Sequence, residues 1–123
     1  MILVDTTVWV DHLRTGVNRL ADLLEGGLVV THPFVIGEIA LGHVNPRDEI
    51  LRLLANLPAA IVATDSEVLE FIDRHKLYGR GIGHIDSHLL AAVKLSAGAA
   101  LWTRDKRLHG MAAEMGLAMV QTS

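Results

Sequence analysis

Four acidic residues, Asp5, Glu38, Asp86 and Asp105, stand where the chain otherwise calls for apolar side chains or helix starts. Asp5 follows the apolar run Met1-Ile2-Leu3-Val4 and precedes Thr6-Thr7. The same grammar recurs late in the chain, where Ala99-Ala100-Leu101-Trp102-Thr103 leads through Arg104 to Asp105. Glu38 is the one formal charge between Pro33 and Val44, set among Val35, Ile36, Ile39 and Leu41. Asp86 opens a helical run whose inner face is Leu89, Leu90 and Val93. Carboxylates brought together repel, and without a counter-charge at least one holds a proton at neutral pH. A hard divalent cation removes that conflict, and oxygen donors select Mg²⁺, with Mn²⁺ as a substitute, over softer metals. Such an ion lowers the pKa of a water, positions it for in-line attack and neutralises charge on a phosphoryl group. All four acids are therefore candidate catalytic residues and metal ligands. The hydroxyls of Thr6 and Thr103 are candidates to hold water or a phosphate oxygen.

Each acid has a plainer reading. Asp is a preferred helix cap, so Asp5, Asp86 and Asp105 each suit the start of the helix that follows. Glu38 resists that reading, because a charge is rarely buried without a partner. Three acids at strand or helix ends plus a lone glutamate in an apolar helix favour a site only when taken together.

The elements that must position these residues are short. Apolar runs of strand length occupy 2–4, 28–30, 60–63, 99–102 and 118–120. None alternates polar with apolar residues, which suits strands buried on both faces of a parallel sheet. Helical spacing fills the gaps. Ile50, Leu53, Leu54 and Leu57 follow Asn45 as N-cap and Pro46 at the first helical position. Thr64-x-x-Glu67 reads as a capping box before Val68, Leu69 and Ile72. Leu89, Leu90 and Val93 line a helix that Gly98 ends, and Leu108, Met111, Ala112 and Met115 line another stopped by Gly116. The order predicts one α/β domain over 1–123, a central parallel five-stranded sheet flanked by helices with right-handed crossovers. Ligands of such sheets sit at the carboxyl ends of the strands, where Asp5 and Asp105 stand. The loop Gly79-Arg80-Gly81-Ile82-Gly83 follows a helix and lacks a Gly-Lys-Ser/Thr ending, so it is no P-loop.

Composition narrows the class. The chain has 123 residues, half of them hydrophobic, a mean hydropathy of +0.35 and no cysteine. Disulfides and thiolate metal sites are excluded. No apolar run approaches the ~18 residues of a membrane span, and no basic segment followed by an apolar one opens the chain, which fits a cytoplasmic protein without a membrane partner. The apolar surplus implies that another chain covers some surface. Net charge is −3, but with the four acids assigned to metal ions, ten acids face eleven Lys and Arg.

At these residues the sequence resembles a PIN domain, and more narrowly the toxin ribonuclease of a VapBC type II toxin–antitoxin pair. The resemblance rests on Val4-Asp5-Thr6-Thr7-Val8-Trp9, Ile36-Gly37-Glu38-Ile39, Gly81-Ile82-Gly83-His84-Ile85-Asp86 and Leu101-Trp102-Thr103-Arg104-Asp105. It implies an α/β sandwich with the four acids clustered on one or two Mg²⁺ ions, Asp5 and Asp86 leading and Glu38 and Asp105 completing the cage. It implies endonucleolytic cleavage of RNA to 5′-phosphate and 3′-hydroxyl ends, a cognate VapB-like antitoxin, and a toxin homodimer within the complex. It also assigns the antitoxin surface to Trp9, Leu13, Phe34, Val35 and Leu41. One departure is visible. Many relatives carry another acid two residues after the last one, usually followed by Phe, and here those positions are Arg107 and Leu108.

Other residues carry competing readings. Arg104, Lys106 and Arg107 surround Asp105 and are placed to steer RNA phosphates, or form a solvated helix start. Arg80 is a weaker phosphate candidate. His84-x-Asp86-x-His88 has zinc-ligand chemistry, but no second cluster in the sequence completes the site. A receiver-like signalling module would use Asp65, after the third strand, as phosphoacceptor. The first strand supplies no adjacent acid pair and no lysine follows the fifth, both of which argue against it. An aspartyl phosphatase would need a second acid two positions after Asp5, where Thr7 stands.

Overall fold

Runs of apolar residues without alternation suit strands of a parallel sheet covered on both faces, and three of them form such a sheet here. In the computed structural model, which describes residues 1–120, β1 (Ile2–Val4), β2 (Val29–Val30) and β3 (Ala100–Trp102) form a parallel sheet in the order β2-β1-β3. Leu3 stands opposite Val30 on one side and Leu101 on the other. The ladder between β1 and β3 continues one step, with the Asp5 N–H donating to the Trp102 carbonyl at 2.9 Å. The ends of these two strands are thus tied side by side where Asp5 and Asp105 leave the sheet.

The expected five strands are corrected to three among the described residues. The two remaining runs lie at the sheet edges without forming strands: a single parallel bridge joins Thr31 to Ala59, one residue before 60–63, and another joins Leu101 to Ala118. The burial pattern gives the reason. Ala60 and Ala63 are buried while Ile61 and Val62 are exposed, so 60–63 is not covered on both faces. Its backbone is also diverted, because the Ile61 N–H donates to Ser96 Oγ at 3.0 Å. The residues 121–123, where a receiver's lysine would have to follow, lie outside the described residues.

Among the described residues seven helices flank the sheet: α1 (Thr6–Thr15), α2 (Asn18–Glu25), α3 (Pro33–Leu41), α4 (Arg47–Ala55), α5 (Asp65–His75), α6 (His84–Leu95) and α7 (Lys106–Glu114). Several of their ends follow from sequence chemistry. The Thr64–Glu67 capping box closes in both directions, at 3.1 Å and 2.8 Å. Helix α7 stops at Gly116, whose φ of +71° suits a residue without a Cβ, and the Leu117 N–H reaches back to the Ala112 carbonyl. The start of α4 differs from expectation by one position, since Pro46 itself is the cap and the helix begins at Arg47.

The core is continuous from sheet to helices. Leu3, Val4, Val8, Leu20, Leu89, Leu90, Leu101 and Leu108 are fully buried and share one cluster. Helix α6 is buried from Ser87 through Val93, which marks it as the central helix of the domain. It abuts α5 and β3, while α1 packs on α3. Glu38 and Asp86 are therefore carried on helices that the core holds against the sheet.

Candidate metal centre

Asp5 is the anchor of the site. It occupies the N-cap position of α1, yet its side chain makes no capping hydrogen bond. Its Oδ2 instead accepts hydrogen bonds from Thr103 Oγ1 at 2.7 Å and Thr7 Oγ1 at 2.8 Å. The two threonines in turn accept from the backbone, Thr7 from the Arg104 N–H and Thr103 from the Asp105 N–H. This network joins the end of β1 to the end of β3 and holds a carboxylate that is 5 % exposed. Both hydroxyls converge on Oδ2, which leaves Oδ1 outside the network among the described residues.

The other three acids line the same cleft. Its volume is about 550 Å³, and its walls are Asp5, Thr6, Thr7, Val10, Asp11, Glu38, Asp86, Arg104 and Asp105. Glu38 comes from α3 and accepts a hydrogen bond from Thr6 Oγ1 at 2.7 Å. Asp86, in the first turn of α6, accepts the Gly83 N–H at 3.3 Å. Asp105 does cap α7, with Oδ1 accepting the Leu108 N–H at 3.0 Å, and lines the cleft as well. The hydroxyls of Thr6 and Thr103 each donate to an acid, Thr6 to Glu38 and Thr103 to Asp5.

The four acids feel one another. Asp86 has its pKa raised above the usual carboxylate value, first by burial, against the lowering pull of the Gly83 N–H, and further by the negative charges of Asp5, Asp105 and Glu38. No three of the acids bring one oxygen each within 4.8 Å of one another among the described residues. The donor set fits a hard cation: Mg²⁺ takes one or two carboxylates directly and keeps several waters, which a wide all-oxygen cleft accommodates.

Two wall residues escaped sequence reasoning. Thr7 reads as an ordinary helix-start threonine, and only the adjacency of β1 and β3 reveals that its hydroxyl bridges them. Asp11 pairs with Arg104, Nε to Oδ2 at 3.1 Å, across the mouth of the cleft. Of the basic candidates, Arg104 is therefore tethered at the cleft wall, and Arg107 lies over the glycine loop, with Nη1 3.5 Å from the Gly81 carbonyl. That approach depends on glycine, since a Cβ at Gly81 would meet Arg107 Nη1 at 2.6 Å. Arg80 is turned away to Glu114, at 2.8 Å. A larger hollow of about 790 Å³ adjoins the acidic cleft through Arg104 and carries Thr103, Lys106 and His109 on its walls.

Residues 2–114 match the PIN domain family. This chain belongs to the PIN domain family. Ribonuclease VapC32 of Mycobacterium tuberculosis, from strain CDC 1551 / Oshkosh and from strain ATCC 25618 / H37Rv, is 50% identical to it over 121 residues, 98% of each chain. The chain is accordingly a homologue of VapC toxins. Within this PIN domain, Asp65 begins α5 and is not part of the acidic cleft, so the receiver reading has no support. The trio His84, Asp86 and His88 is divided as well: Asp86 lines the cleft, while the two histidine Nε2 atoms face each other at 3.2 Å.

Proposed function

We propose that this PIN domain is an endoribonuclease that depends on Mg²⁺, with Mn²⁺ as a substitute, and is the toxin of a type II toxin–antitoxin pair. The observation that carries the reading is the single cleft walled by Asp5, Glu38, Asp86 and Asp105, in which the ionisation of Asp86 is opposed by the other three. The ribonuclease name of its 50% identical relatives supports RNA as substrate.

Asp5 and Asp86 hold the cation, and Glu38 and Asp105 complete its shell directly or through water. The bound ion supplies Lewis-acid chemistry, polarising the scissile phosphate and activating water for hydrolysis. The chain's own residues do the positioning. Thr7 and Thr103 fix Asp5, and Thr6 fixes Glu38, so that the carboxylates meet substrate without reorganising. A carboxylate oxygen not taken up by the cation accepts the proton of the attacking water. The hollow bearing Lys106 and His109, with Arg104 at its junction with the cleft, gives the RNA backbone a cationic track to the acids.

The partner is a VapB-like antitoxin. An apolar groove of about 340 Å³ between α1, α2 and α4, lined by Trp9, Leu13, Leu24, Ile50, Leu53 and Leu57, accepts its apolar segment. Of the residues first assigned to that surface, Trp9 and Leu13 line the groove, while Phe34, Val35 and Leu41 are not among its lining residues. The toxin pairs with a second copy within the complex, and the toxin freed of its antitoxin acts in the cytoplasm on cellular RNA.

Product ends test the chemistry. Cleavage of a labelled RNA should leave 5′-phosphate and 3′-hydroxyl termini, and expression of the chain without its antitoxin should arrest growth. Termini with 2′,3′-cyclic phosphate would overturn the hydrolytic mechanism, because they require attack by the ribose hydroxyl instead of water.

A further inference from the structure

His84 and His88 lie one turn apart on α6, where residues four apart share a face. Their Nε2 atoms approach to 3.2 Å with the rings at 87°. Asp65 Oδ1, from the first residue of α5, stands 3.7 Å from His88 Nε2. Among the described residues this is the one trio of ligand types whose donor atoms all lie within 4.8 Å of one another. The distances match a tetrahedral ion: metal–nitrogen bonds near 2.0–2.1 Å separate two ligand atoms by about 3.3 Å.

The surroundings fix the trio. His88 is 1 % exposed, and its ring meets Phe34 edge-on at 4.7 Å. Its Nδ1 is buried without a hydrogen-bond partner among the described residues, so the ring makes its polar contacts through Nε2. The capping box of Thr64 and Glu67 sets the start of α5, and with it the backbone of Asp65. His84 and Asp65 are exposed, which leaves one side open to solvent. Two imidazoles and one carboxylate select a borderline transition metal, whereas the all-oxygen cleft selects a hard one.

We propose that Asp65, His84 and His88 form a second metal site, taking Zn²⁺ or a similar divalent transition-metal ion with water in the fourth position. The ion joins the start of α5 to α6. It stiffens the helical turn from which Asp86 enters the acidic cleft, so it supports that cleft from behind without being part of it. The site stands independently of the nuclease reading.

Calorimetric titration of the untagged, metal-stripped full chain with Zn²⁺, in excess Mg²⁺, tests the site. The expected result is one Zn²⁺ per chain, with affinity unchanged in Asp5→Asn and weakened about tenfold or more in both His84→Ala and Asp65→Ala. Both substituted side chains are exposed, so the variants keep the core. Co²⁺ in place of Zn²⁺ should give the visible absorption of a tetrahedral complex in the wild type and lose it in His84→Ala. Zn²⁺ binding that survives both His84→Ala and Asp65→Ala, or that disappears in Asp5→Asn, would overturn the proposal, as would no stoichiometric binding.

Discussion

Asp5, Asp86 and Asp105 all stand at helix starts, yet their carboxylates are used in three ways. Asp5 caps nothing and is gripped by two threonines. Asp105 caps α7 and still lines the cleft. Asp86 reaches back one turn to Gly83 and faces three other acids. Of the four acids only Glu38, alone in an apolar helix, contradicts its local pattern; the three aspartates suit helix starts and stand out only as a set with it. Thr7 and Asp11 contradict nothing locally, so their roles emerge only once β1 lies beside β3 and α1 faces Arg104. Burial and like charge raise the pKa of Asp86, so the native state binds its proton more tightly than the unfolded chain does. Stability is then lost as pH rises from the ordinary carboxylate value through the raised one. Metal-free Asp86→Asn should melt a few degrees above metal-free wild type at pH 7, with the gap closing as pH falls toward about 4. Saturating Mg²⁺ should reverse the order, because the variant has lost a ligand. A metal-free variant that melts lower than wild type in thermal scans would contradict the electrostatic description of the cleft.

Elements were legible wherever local chemistry and tertiary packing agree. Strands β1 and β3 combine apolar runs with burial of Leu3, Val4, Leu101 and Trp102, and both were evident. The run 60–63 has the right composition but the wrong cover, since Ile61 and Val62 look outward at the sheet edge. Periodicity alone cannot see which neighbours are missing, and so it overstates edge strands. The Thr64–Glu67 signature is purely local and held in every detail. Thr64→Ala should cost about 1 kcal/mol in urea denaturation, the usual worth of an N-cap, without altering RNA cleavage in Mg²⁺. A stability loss indistinguishable from zero would mean that packing, not the cap, sets the start of α5.

At the scale of the molecule, a chain of net charge −3 handles a polyanion by segregating its charges. Acids gather in the cleft, where a bound cation would invert their effect, and Arg104, Lys106 and His109 flank it. The apolar surplus goes partly to the groove beside α4, where Leu53 is 61 % exposed. Leu53→Asp places a charge in that groove, which shares no residue with the acidic cleft. It should abolish co-purification with the antitoxin while leaving the free enzyme's cleavage rate within about twofold, as expected of a surface change outside the site. Retained co-purification would move the antitoxin to another face. The most direct measurement is the rate of RNA cleavage against Mg²⁺ concentration for wild type and Asp5→Asn, with folding checked by circular dichroism. The cleft predicts saturable activation by Mg²⁺, no cleavage in a chelator, and a loss of about a hundredfold or more in a folded Asp5→Asn protein. Cleavage that persists in the chelator, or an Asp5→Asn rate equal to wild type, would contradict it.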